Sequence, residues 1–228
     1  NGLEEGKWTK IENGGTIGGL KHNDNIYGRL WNGEEESNYA STTVKDTIPP
    51  EVSIGTSNIT SNSVALTVTA NDGQAGLAES ETYKYYLNSE SSPKEASTNN
   101  SYTYTGLTAG TKYTLKVVVT DKAGLTTEKT AEITTLSIPV GTGAISFTSP
   151  TWSNGQASVK VNTSNAGYQI EYQKNSTSGR WTKIENGGTI SGLKHNDNVY
   201  ARLTDGQNTG SYASTTVKDT IAPNAPIV

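Results

Sequence analysis

KWTKIENGGTIGGLKHNDNIYGRLWNGEEESNYASTTVKDTIPP, residues 7–50, returns as RWTKIENGGTISGLKHNDNVYARLTDGQNTGSYASTTVKDTIAP, residues 180–223. The two stretches differ at 12 of 44 positions and keep a constant offset of 173 residues, without an insertion or deletion. Half of that offset, about 86 residues, is the length of one small β-sandwich. The recurring unit is therefore read as a pair of different sandwiches, and the chain as an alternating array of them.

Composition agrees with strands. The 228 residues include 34 Thr and 12 Tyr but 1 Phe. Threonine and tyrosine suit half-buried pleated surfaces. Hydrophobic residues make up 32%, which fits several thin cores better than one deep enzyme core. The 24 glycines and 7 prolines punctuate short apolar runs as turns do. Net charge is −4 with mixed signs, so nucleic acid is not an expected partner. The chain has no cysteine, hence neither disulfides nor thiolate metal sites. No apolar run reaches the roughly 18 residues of a membrane helix, so no membrane insertion is expected in this segment.

Seven short strands are predicted in each longer segment. In the third they fall at 143–149, 156–163, 168–173, 180–185, 189–193, 198–204 and 210–218. In the middle they fall at 52–56, 63–70, 82–87, 94–97, 101–106, 112–120 and 126–136. Residues 1–50 carry counterparts of 180–218 and none of 143–173, so this sandwich is expected to be incomplete. Its uncovered edge makes self-association an expectation. The domains are thus read as 1–50, the C-terminal half of a sandwich; 51–138, a complete one; 139–223, another; and 224–228, the start of a further module.

The stretch Tyr104-Thr105-Gly106-Leu107-Thr108-Ala109-Gly110-Thr111-Lys112-Tyr113 resembles the E–F region of fibronectin type III domains. That resemblance implies a core role for Leu107 and a tyrosine corner at Tyr113, with Tyr27 and Tyr200 in cognate places of the two repeat copies. The seven-strand rhythm of the third segment is similar to an immunoglobulin-like sandwich. The fold class is accordingly all-β: tandem Ig-like and fibronectin type III-like sandwiches in an elongated array, the first incomplete. Such arrays resemble the tandem repeats of bacterial cell-surface or secreted, adhesin-type proteins. The resemblance implies an extracellular, non-catalytic stalk. The alternatives are a module binding carbohydrate or a host surface protein, and accessory domains of an extracellular polysaccharide hydrolase.

No catalytic constellation emerges. Glu34-Glu35-Glu36 becomes Gln207-Asn208-Thr209 in its twin, which reads as a solvated loop. His22 and His195 sit at equivalent positions in polar turns and read as turn residues. Asp46 and Asp219, each followed by Thr and then Pro, resemble the Asp-Thr-x-x-Pro joints of bacterial repeat adhesins, some of which hold a hard cation. On that resemblance Asp46 and Asp219 are candidate Ca²⁺ ligands; Asp121 is a third candidate from a turn, which, like Asn71-Asp72 and other Asp and Asn turns, comes near only if the fold brings it there. Asp and Asn oxygens suit Ca²⁺, yet they also cap turns through their own backbone, and both readings stay open. Trp31 and Tyr39 are the candidate ligand contacts. Trp8 and Trp181 recur at one position and are expected to cover the core.

Overall fold

Alternation of apolar and polar residues sets the strands. In Gln156–Asn162 the residues Ala157, Val159 and Val161 are buried, whereas Gln156 and Lys160 are exposed, the period of two that a pleated strand requires. The computed structural model describes residues 8–220. The expected start of a further module at 224–228 lies outside them.

The first segment carries β1 (Asn25–Gly28) and β2 (Ala40–Thr43). The middle carries β3 (Glu51–Ser57), β4 (Val64–Asn71), β5 (Tyr83–Leu87), β6 (Glu95–Ser97), β7 (Ser101–Tyr104), β8 (Lys112–Thr120) and β9 (Thr126–Thr134). A 3-10 turn at Gly141–Gly143 precedes β10 (Ser146–Phe147), β11 (Thr151–Ser153), β12 (Gln156–Asn162) and β13 (Gln169–Lys174). Last come β14 (Thr182–Ile184), β15 (Thr189–Leu193), β16 (Asn198–Thr204) and β17 (Ala213–Thr216). The sheet orders are β1-β2, β3-β4-β7, β6-β5-β8-β9, β10-β12-β11 with β15 also on β12, and β14-β13-β16-β17. The protein is thus nearly all-β, as the alternation predicts, and its sheets are those of tandem β-sandwich domains.

Compact packing divides the chain into two units: Asn1–Ser57, Ala65–Tyr102 and Tyr113–Ile133 form the first, and Asn58–Val64, Thr103–Lys112 and Thr134–Val228 the second. In the first unit Leu66, Tyr85, Leu115 and Val117 are fully buried. The Tyr85 hydroxyl is not orphaned there, because it donates to the Asn99 carbonyl at 2.7 Å. In the second unit Val159, Val161, Ile170, Ile190, Leu193 and Leu203 anchor the core cluster.

Two local differences from the sequence reading have simple causes. The first strand of the third segment shortens to Ser146–Phe147 because Ala144 and Ile145 donate back to the Gly141 carbonyl. The Asn154-Gly155 pair, between the strands expected at 143–149 and 156–163, joins β11 to β12 as a two-residue hairpin, with φ of 49° and 73°. Positive φ at both central residues matches the twist of paired strands.

The Gly187-Gly188 turn is tight as well as left-handed. A Cβ at Gly188 would strike the Ile184 side chain and come within 2.8 Å of the Glu185 carbonyl oxygen. Gly188→Ala is expected to cost about 1–3 kcal/mol. Urea denaturation measures it, with Gly143→Ala as control because nothing lies within 4 Å of that site.

Candidate metal centre

Asp46, Asp72 and Asp121 follow β2, β4 and β8, so three separate stretches of the first unit deliver them. One ligand atom from each lies within 4.8 Å of the other two. Asp46 and Asp121 are buried, at 7% and 2% exposure.

Each carboxylate is held by backbone donors. Asp46 Oδ1 accepts from the Ile48 N–H at 2.9 Å and Oδ2 from the Ala75 N–H at 2.9 Å. Asp72 Oδ2 accepts from the N–H groups of Gln74 and Gly76. Asp121 Oδ1 accepts from the Leu125 N–H at 2.8 Å, across the turn that Gly124 closes with φ of 84°. Asp121 Oδ2 is buried and has no hydrogen-bond partner. An ionised oxygen in that state is costly, and a cation would remove the cost.

The donor set fits a hard ion. Three carboxylates of this kind suit Ca²⁺, which takes six to eight oxygen ligands in a flexible geometry.

His22 supplies the orienting contact. Its Nδ1 accepts the Asp46 N–H at 3.0 Å, which puts the imidazole proton on Nε2. The repeat copy does the same: His195 Nδ1 accepts the Asp219 N–H at 2.9 Å. The histidines are thus turn residues with a defined task, fixing the backbone at the aspartate. Asp219 itself is exposed, and among the described residues the three-carboxylate cluster does not include it. Asp72 takes the third place; in the sequence it stood only among several Asp and Asn turns, since its approach to Asp46 and Asp121 is tertiary.

The other singled-out residues are dispersed. Leu107 is buried and its N–H donates to the Asn62 carbonyl, while Tyr113 is half-buried in β8. Trp31 and Tyr39 are each more than half exposed. Trp31 bridges to Glu36, and Tyr39 meets Tyr27 edge-on at 5.5 Å. Tyr200 meets Tyr212 in the same way at 5.2 Å. Trp181 is not a core cover: it is half-buried, with the Arg202 guanidinium 4.2 Å from its ring centre. Trp8 carries Arg29 at 4.1 Å. Arg202 lies between buried Ala201 and Leu203, so strand alternation turns it, and the ring it covers, away from the core.

Within the second unit, Asp205 is the most perturbed acid. Burial alone would raise its carboxyl, but hydrogen bonds from the Ser61 hydroxyl and from Asn208 and Gln207 outweigh it and hold the group from 3.8 down to about 2. A depressed carboxyl stabilises the fold above its unfolded value, and that contribution disappears as pH falls through the folded one. Chemical denaturation between pH 5 and about 2 is expected to show a loss of stability that Asp205→Asn lacks.

No family model and no curated protein matches the chain. Solved structures do resemble it. A two-fibronectin type III domain segment of chicken tenascin shares 19% identity over 75% of this chain and 99% of its own, with a TM-score of 0.30. A chitinase from Bacillus thuringiensis shares 22% over 75% of this chain and 28% of its own, with a TM-score of 0.34. The FN1–FN3 domains of chicken CNTN1 share 14% over 75% and 67%, with a TM-score of 0.28. At such identities and scores, function must be read from the residues of the chain itself. Among the described residues no helix is long and apolar enough to cross a membrane.

Proposed function

We propose that the chain is a non-catalytic spacer segment of a bacterial surface or secreted protein, made of repeating β modules and stiffened by Ca²⁺ on Asp46, Asp72 and Asp121. The supporting observation is the convergence of these carboxylates, one of them carrying a buried, unpartnered oxygen. Asp46 closes the first repeat copy, whereas Asp72 and Asp121 lie in turns of the middle segment. An ion held by all three ties the first repeat copy to the middle segment and restricts bending at the joint. A spacer gains reach from that restriction without any chemistry.

Single-molecule pulling tests this role. The force that detaches residues 8–47 from the middle strands is expected to rise with Ca²⁺ and fall back with EDTA; an unchanged force contradicts it. His22→Ala is expected to weaken Ca²⁺ binding about tenfold, the usual loss when a residue orienting a ligand is removed. A Ca²⁺ titration of the variant measures this.

A second reading, a module that binds carbohydrate or a host surface protein, is favoured by the exposure of Trp31 and Tyr39. Exposed rings stack on sugars or anchor protein contacts. A glycan and matrix-protein array tests this reading, with Trp31→Ala expected to lose the signal.

A further inference from the structure

The sheet β14-β13-β16-β17 carries a polar and aromatic cluster on the face turned away from its core. Glu171 of β13 stands opposite Lys183 of β14 on one side and opposite Arg202 of β16 on the other. Arg202 donates from Nε and Nη2 to Glu171 Oε2, at 3.2 and 3.0 Å, and its guanidinium lies 4.2 Å from the Trp181 ring centre. The ring and the ion pair therefore hold one another in place.

A hollow of about 760 Å³ opens beside them, within the ~300–1,000 Å³ of small-ligand sites. Arg180, Lys183 and Arg202 line it against a single carboxylate, Glu171. The lining is thus positive on balance, in a chain whose net charge is −4.

Gln173, two residues along β13 from Glu171, shares this face. It is 8% exposed, and its Nε2 donates to the Arg180 carbonyl at 2.8 Å. A Cβ at Gly179 would meet the same nitrogen at 3.9 Å. Gly179 and Arg180 both line the hollow, so the amide lies against its wall. Gln173 Oε1 is buried and has no hydrogen-bond partner. An acceptor left in that state is costly, and a ligand hydroxyl would remove the cost.

We infer that this hollow binds an acidic saccharide, a sugar chain bearing carboxylate or sulfate groups. Arg180 and Lys183, both exposed, pair with the acid group. The Trp181 ring backs a sugar through its negative face, and Gln173 Oε1 accepts a hydroxyl. Because Arg202 already fixes Trp181 and Glu171, less freedom is lost on binding. The site shares no residue with the Trp31 and Tyr39 pair, which belongs to the first unit.

Isothermal titration of the full chain with a galacturonic acid oligosaccharide, its methyl ester and a sulfated galactose oligosaccharide tests the inference. Saturable binding of an acidic sugar is expected, and the tighter of the two tells carboxylate from sulfate. Arg180→Glu with Lys183→Glu is expected to weaken it about tenfold or more, as is Trp181→Ala. The two cations are exposed, so the double variant keeps its fold, which circular dichroism verifies. Gln173→Met, which keeps the side-chain length and removes the acceptor, is expected to weaken binding as well. Absence of binding by both acidic sugars overturns the inference, as does equal binding of the methyl ester. So does binding that survives the double variant, or an oligoglutamate peptide that binds as tightly, because charge alone then suffices. Binding lost in Trp31→Ala and kept in Trp181→Ala also overturns it, and assigns the sugar to the first unit.

Discussion

Leu203→Ala lowers stability by about 2–5 kcal/mol, whereas Leu30→Ala, at the same position of the other copy, changes it by no more than about 0.5 kcal/mol. The two leucines sit in near-identical sequence, and β1 and β16 hold the same register against their neighbours. Local propensity is therefore matched, and the difference isolates burial. Leu203 is fully enclosed among Val159, Val161, Ile170 and Ile190, so truncation removes apolar contact and leaves a cavity. Leu30 is 80% exposed, so its truncation removes little from the folded state. Urea denaturation of the two variants gives the comparison directly. Equal losses would mean that the first copy is covered as well as the second.

Ca²⁺ at a hundredfold excess over its dissociation constant stabilises the first unit by about 2.7 kcal/mol, and its melting temperature rises by roughly 5–20 °C. The gain follows from linkage: an ion bound by the native carboxylates and not by the unfolded chain shifts the equilibrium toward the fold. Asp46, Asp72 and Asp121 come together only in the folded state, because 26 residues separate the first two and 49 the last two. Asp121→Asn keeps the size of the side chain and its Leu125 contact through Oδ1 but removes the charge on the unpartnered oxygen. This variant is expected to melt at the same temperature with Ca²⁺ and with EDTA. Differential scanning calorimetry resolves the effect. Mg²⁺ is expected to give a smaller rise, since it demands shorter bonds and keeps its waters.

Much of the fold was legible because it rests on local signals. Period-two alternation located the long strands β8, β12 and β16, whose inward residues need no partner to be recognised. The middle segment agrees strand for strand, with ends moved by at most a few residues. The hairpin of β11 and β12 was missed although Asn154-Gly155 is a strong turn signal, because β11 is too short to alternate. The candidate site was legible only in part. Asp46 stood out by its neighbours in the chain, but Asp72 and Asp121 join it only through the tertiary fold, which no spacing encodes. The task of His22 was hidden for the same reason, since 24 residues separate it from the N–H it accepts. Trp181 was misread as core, though the alternation of β16 around Arg202 carried the information that a ring beneath that guanidinium faces outward.

Isothermal titration of the full chain with Ca²⁺, in metal-free buffer, decides whether Asp46, Asp72 and Asp121 form a cation site. The expected result is saturable binding that disappears in Asp121→Asn and survives in Asp219→Asn. No heat in the native chain, or the same heat in Asp121→Asn, contradicts it.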